Sequence, residues 1–168
     1  MSLVERNGVL DALTGYDPVL VGTFPLGLDR PGSDVDVLCH ADDLDEFLCT
    51  AAAAFADRPG FRSHRRAASG QPAAAVVSFE IEGVPVELFA QPLPTAEQHG
   101  FRHFVVEQRL LALGGDPFAD RVRRARRPGD SVEIAFAEVL GLDGDPYVAV
   151  LDLEGETDAQ LLARIQGA

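Results

Sequence analysis

Three acids of this chain stand where acids are costly. Asp34 and Asp36 flank Val35 in Gly32-Ser33-Asp34-Val35-Asp36-Val37-Leu38-Cys39, and Glu87 lies within Val84-Pro85-Val86-Glu87-Leu88-Phe89. Both segments are short, apolar and rich in β-branched residues, the pattern of largely buried strands. Residues two apart in a strand project from one face, so Asp34 and Asp36 stand side by side with backbones roughly 7 Å apart. Two bare charges at that separation repel by about 2 kcal/mol in an effective dielectric near ~20, and burial adds to the cost. A cation between them removes the penalty, and hard carboxylate oxygens select magnesium or manganese. If the strand of Glu87 lies beside that of Asp34 and Asp36, three carboxylates converge. Such a set suits two-metal phosphoryl chemistry, in which the ions clamp the attacking and leaving oxygens. The competing reading is an Asp-x-Asp pair on a solvated loop, with Glu87 paired to an arginine. Strand context and the upstream Gly22-Thr23 turn favour the site.

Composition narrows the chemistry further. The 168 residues carry 27 acids against 14 bases, a formal net charge of −13, and every one of the bases is arginine. Without lysine there is no lysine nucleophile, Schiff base or Walker-type phosphate lysine. The acidic balance argues against long nucleic acid as a partner, because that affinity rests on a basic surface neutralising phosphates. The two cysteines, Cys39 and Cys49, form no disulfide framework, and both read as small buried hydrophobes. No apolar run reaches the roughly 20 residues of a membrane span. The first residues lack the basic start and apolar core of a signal peptide, which points to a cytoplasmic protein.

The elements that must position the carboxylates can be read from periodicity and punctuation. Leu3 to Leu13 has helical spacing, Val19-Leu20-Val21 is a short strand, and Phe24 to Ser33 is a Pro- and Gly-rich loop. Asp34 to Cys39 is the second strand. Asp43 and Glu46 resemble a capping box opening a helix that Pro59-Gly60 ends. Phe61 to Arg66, Ala73 to Ile81 and Val84 to Ala90 read as strands, the last two joined by a tight Glu82-Gly83 turn. Helices follow over Ala96 to Leu113, Pro117 to Arg127, Ser131 to Leu140, Pro146 to Leu153 and Asp158 to Ile165. The expectation is an α+β fold, a small mixed sheet with packed helices. It would be a single domain, with residues 1–92 as the α/β core and 93–168 as a helical C-terminal part.

A Gly-Ser or Gly-Thr turn, a gap near ten residues and then Asp-x-Asp among hydrophobic residues resembles the signature of the polymerase-β-like nucleotidyltransferase superfamily. Val21-Gly22-Thr23-Phe24-Pro25-Leu26 with Pro31-Gly32-Ser33-Asp34-Val35-Asp36 is most similar to a bacterial family of small nucleotidyltransferase-like proteins. Glu87-Leu88-Phe89-Ala90-Gln91, Phe101-Arg102-His103 and Gly144-Asp145-Pro146-Tyr147 extend the likeness. The resemblance implies that Asp34 and Asp36 hold both metal ions. It also implies that Glu87 completes one metal site and helps to activate the acceptor hydroxyl. The Gly22-Thr23 turn would face the nucleotide phosphates. Thr23 stands where the superfamily usually has serine, and Gly32-Ser33 offers a second turn for the same task. Without lysine, phosphate charge falls to metal, backbone N–H groups and arginine, with Arg30 nearest. Arg102 and His103 would line the cleft.

Other charged groups have plainer readings. His99, His103 and Glu107 recur every four residues and so line one helical face; metal binding is one reading, and a solvated face with a His103–Glu107 pair is the favoured one. Arg121, Arg123, Arg124, Arg126 and Arg127 read as structural charges balancing nearby acids. Arg62, Arg65 and Arg66 hold more interest, since they fall near the sheet. Two functions then compete. One is magnesium-dependent transfer of a nucleoside monophosphate from a nucleoside triphosphate to a hydroxyl of a small molecule or protein. The other is a non-catalytic module that binds nucleotide or a partner protein for regulation, with a partner-dependent role resembling that of small nucleotidyltransferase-like antitoxins as a weaker variant.

Overall fold

The computed structural model describes residues 2–68 and 70–167. They form two compact units: one built from residues up to Pro25 and from Asp29–Gln98, the other from Leu26–Leu28 and from His99 onward. Among the described residues no helix is long and apolar enough to cross a membrane.

The first unit is a mixed five-stranded sheet carrying helices. Its strands are β1 (Val19–Val21), β2 (Val35–His40), β3 (Arg62–Arg66), β4 (Ala74–Ile81) and β5 (Val84–Gln91), in the spatial order β1-β2-β5-β4-β3. Only β2 and β5 run parallel; the other neighbours are antiparallel. The β4–β5 hairpin closes through Glu82 and Gly83, both at positive φ (53° and 79°), the requirement of the turn that matches strand twist. Alternation gives the sheet one apolar face. Val35, Val37, Cys39, Val77, Phe79, Val86 and Leu88 pack there with Phe47, Ala51 and Phe55 of α3 (Leu44–Phe55). Asp43 caps α3, its Oδ1 accepting from the N–H groups of Asp45 and Glu46 at 2.9 and 3.0 Å. The single helix expected over Leu3 to Leu13 is instead two turns, α1 (Leu3–Arg6) and α2 (Val9–Ala12). Gly8, at φ 70°, takes the left-handed conformation that ends the first and turns the chain into the second. Val4, Val9 and Leu13 still reach the same core.

The second unit is helical: α4 (His99–Ala125), α5 (Val132–Leu140), α6 (Pro146–Asp152) and α7 (Asp158–Gly167). Residues Thr95–Glu97, expected to open the first long helix, form a separate 3₁₀ turn at the end of the sheet unit. α4 breaks at Gly115, whose φ of 60° and ψ of −164° are non-helical, and Pro117 restarts it. Two helices are therefore present where two were expected. Val106, Leu110, Phe118, Val122, Phe136, Val150 and Leu161 form the core of this unit. The arginine-dense end of α4 fastens it. Arg121 donates to the carbonyls of Ile165 and Val139, Arg126 to that of Leu28, and Arg123 to Asp120 and the carbonyl of Gly27. Arg127 pairs with Glu138 at 3.0 Å. Arg123 and Arg127 thus meet acids as expected, while Arg121 and Arg126 bond main-chain carbonyls.

Two expectations fail here. Cys39 is fully buried, and burial, with Asp17 adding to it, pushes its thiol up to about 12. Cys49, expected to be buried too, lies on the exposed side of α3. Nor do His103 and Glu107 form a solvated pair. Both are buried, because Val106 and Leu110 turn that side of α4 into the helical core.

Candidate functional site

Strand register draws two of the expected carboxylates together. Asp36 is the direct partner of Glu87 across the parallel β2–β5 pair, and the row continues to Val21 on β1 and to Ser78 and Arg62 on β4 and β3. Neighbouring strands lie about 4.8 Å apart, and like charges placed directly opposite one another are destabilising. Asp34 precedes β2 by one residue, on the side that Asp36 occupies. All three acids therefore belong to the face of the sheet opposite the α3 core.

The electrostatics follow from this placement. Burial pushes the Glu87 carboxyl above its ordinary range, the Asp34 charge pushes it further, and His64 and Arg66 oppose both. A raised value means that a proton is held more tightly here than in water, the signature of negative charges crowded in a poorly hydrated place. The Gly22 turn is shaped around the same acids. Gly22 has φ 76° and lies so close to Asp36 that a Cβ in its place would overlap the Oδ2 of that carboxylate. Backbone thus replaces side chain along one flank of Asp36. Thr23, which follows, is buried.

The donor set suits a hard divalent cation. It consists of carboxylate oxygens only, and the mutual repulsion of its acids is what such an ion relieves. Among the described residues no three His, Cys, Asp or Glu side chains are gathered closely enough to hold a metal ion. Register and charge bring Asp34, Asp36 and Glu87 onto one patch without drawing them to a common point.

The remaining expected residues divide into two groups. Arg30, Gly32 and Ser33 line a cavity of about 390 Å³ with Asp29 and the Gly83–Pro85 end of the β4–β5 hairpin. Ser33 closes the loop on itself: its Oγ accepts from the Arg30 N–H at 3.1 Å, and its N–H donates to the Arg30 carbonyl at 2.9 Å. Arg102 and His103 lie in the helical unit and have partners there. Arg102 forms a forked pair with Glu154 (Nη2 to Oε2, 2.5 Å; Nε to Oε1, 3.1 Å). His103 Nε2 bonds the Tyr147 carbonyl at 2.8 Å, and its Nδ1 faces Glu133 at 3.9 Å.

Sequence reading missed two features. The first is His64, which acts electrostatically on Glu87 together with Arg66, although β4 separates their strand from β5. The alternation of Arg62-Ser63-His64-Arg65-Arg66 could have flagged it, had the strand order been known. The second is Glu107, 2% exposed, whose Oε1 has no hydrogen-bond partner among the described residues. Burial raises its carboxyl well above the usual range, and the Glu133 charge raises it further. Its apolar neighbours on α4 were the available signal.

Comparison with known proteins gives three results. The family described as Domain of unknown function (DUF4269) matches residues 2–153. No curated protein is significantly similar in sequence. Among solved structures the chain resembles that of a GLD-2/RNP-8 complex, with a TM-score of 0.53 and 12% identity over 98% of this chain and 72% of that one. It also resembles a variant of the Cid1 poly(U) polymerase bound to MgATP, with a TM-score of 0.51 and 13% identity over 88% of this chain. It spans 48% of that polymerase chain, about half its length. At these identities the likeness establishes the nucleotidyltransferase fold.

Proposed function

The chain belongs to the DUF4269 family, and we propose that it is a magnesium-dependent nucleotidyltransferase that moves a nucleoside monophosphate from a nucleoside triphosphate to a hydroxyl of a small molecule or protein. One observation carries this reading: Asp36 and Glu87 are direct partners on the parallel strands β2 and β5, with Gly22 backed against the Asp36 carboxylate. A fold that pairs two like charges in its sheet, with no side chain at Gly22 to shield them, is organised to receive a cation.

Asp34 and Asp36 would hold both ions and Glu87 one of them. When bound, magnesium supplies charge neutralisation on the phosphates and a template for in-line displacement. The acceptor oxygen forms a bond to the α-phosphorus while the bond from that phosphorus to its bridging oxygen breaks, and pyrophosphate leaves with the electron pair. Glu87 is also the group assigned to help activate the acceptor hydroxyl and to receive its proton. The Gly22-Thr23 turn, Arg30 and the Gly32-Ser33 turn are the groups assigned to the phosphates of the donor. Arg102 and His103 support the helical unit in this reading, since Glu154 and the Tyr147 carbonyl occupy them.

Calorimetric titration of each of the four ribonucleoside triphosphates, with and without magnesium, tests the assignment on wild type and Asp36→Asn. The expected result is binding that requires magnesium and falls by at least about 100-fold in the variant, about 2.7 kcal/mol. Metal-independent binding, or none, would overturn the catalytic reading in favour of a nucleotide- or partner-binding module.

A further inference from the structure

The edge strand β3 is unlike the rest of this acidic molecule. Arg62, Ser63, His64, Arg65 and Arg66 are all exposed, and alternation divides them between the two faces of the sheet. Arg65 turns toward the α3 side, where its Nη1 bonds both carboxylate oxygens of Asp45 at 3.0 Å. Arg62, His64 and Arg66 turn the other way, onto the face of Asp36 and Glu87. Arg62 lies in the same cross-sheet row as those two acids. Arg66 stacks its guanidinium 4.8 Å above the ring of Phe89, two residues beyond Glu87 on β5. His64 and Arg66 are felt by Glu87 itself.

The chain has 27 acids and 14 arginines. Among the described residues Arg6, Arg65, Arg102, Arg109, Arg123, Arg127 and Arg164 pair with carboxylates, whereas Arg58, Arg62, Arg66 and Arg124 do not. Among the described residues neither Arg62 nor Arg66 has a carboxylate within ion-pair distance, and none of them forms a hydrogen bond with the guanidinium of Arg66. Stacking on Phe89 fixes the plane of Arg66 and leaves its N–H groups available. Two guanidiniums and an imidazole on one exposed strip, with no ion pair closed among the described residues, complement an anion.

We propose that Arg62, His64 and Arg66 form a docking strip for a phosphomonoester carried by the acceptor. The identification of the ligand as the acceptor rests on the nucleotidyl-transfer reading; the anion site itself does not. A phosphomonoester is a dianion at neutral pH and matches two guanidinium forks in charge and geometry. The row Arg62, Ser78, Glu87, Asp36 spans three strand spacings, about 14 Å between end backbones. Side chains shorten that distance from both ends, which leaves room for a molecule of sugar size whose phosphate sits on β3 and whose hydroxyl meets the carboxylates. The net charge of −13 disfavours a long polyanion on the same strip.

The test is a titration of ribose 5-phosphate into magnesium-free protein, with ribose as the uncharged control. Arginine Nε–H and histidine ring resonances are followed by NMR. Ribose 5-phosphate should shift the signals of Arg62, His64 and Arg66 saturably, and ribose should not. Arg62→Ala and Arg66→Ala should each weaken binding by about tenfold, while Arg65→Ala, on the other face, should change it by less than about twofold. Thermal melts check that each variant is folded. Asp36→Asn should retain the binding, so failure of the catalytic reading and failure of this site give different results. Absence of saturable shifts, an equal loss in Arg65→Ala, or tighter binding of a single-stranded oligoribonucleotide to the same side chains would overturn the proposal.

Discussion

Glu87 in the sheet unit and Glu107 in the helical unit are perturbed in the same direction by the same kinds of cause. Each lies among apolar neighbours, each is pushed above the ordinary carboxylate range first by burial and then by a second acid, and each is opposed by an arginine. They differ in setting. Glu87 is half-buried, pairs in register with Asp36 and shares its face with Asp34, Asp36, two arginines and a histidine. Glu107 is enclosed in the helical core, with its Oε1 unpartnered. A perturbed carboxyl therefore does not mark a site by itself. What distinguishes the two is whether charge of the same sign is arrayed on a surface that a ligand can reach.

The sharpest way to break this comparison is to neutralise both acids. Glu87→Gln should reduce magnesium-dependent nucleotide affinity by about 100-fold or more, while Glu107→Gln leaves it within about threefold, read by the same calorimetry. Equal losses would place both residues in one function. Next in size is Gly22→Ala, which forces a Cβ into the Asp36 carboxylate at a left-handed backbone position. A loss of about 2–4 kcal/mol in denaturant unfolding is expected, with metal binding reduced in the refolded protein.

The third expectation concerns pH. The folded-state value of Glu107 is raised, so its contribution to stability is complete below the unfolded value and is lost as pH rises through the folded one. Wild type should therefore lose stability as pH rises above the ordinary carboxylate range, and Glu107→Gln should lose that slope, read by denaturant unfolding across pH. Glu87 has the same sign in the metal-free protein, so magnesium should flatten its part of the slope and bind more tightly as pH rises. Smallest of all is Arg65→Ala, which removes an exposed pair with Asp45 and should cost under about 1 kcal/mol in thermal melts.

Much of the sheet could be read from the chain because its signals are local. Val19-Leu20-Val21, the Asp34–Cys39 segment and the two strands around Glu82-Gly83 each carry their own periodicity or turn chemistry. The structure moves their ends by one residue or less. The break between α1 and α2 was harder to read, since Leu3, Leu10 and Leu13 keep helical spacing across it. Only the backbone at Gly8 reveals it.

The sequence by itself determined the chemistry available: carboxylates in apolar strands, arginine as the only strong base, and a Gly22-Thr23 turn upstream of Asp34 and Asp36. Those are properties of residue type and short spacing. Tertiary structure decided which of these groups meet. Asp36 and Glu87 are 51 positions apart, and only the parallel pairing of β2 with β5 makes them neighbours. The same strand order brings β3, through β4, within electrostatic reach of Glu87, and helical packing buries Glu107. Pairing and burial between distant segments depend on how faces fit together, and no local run of residues encodes that.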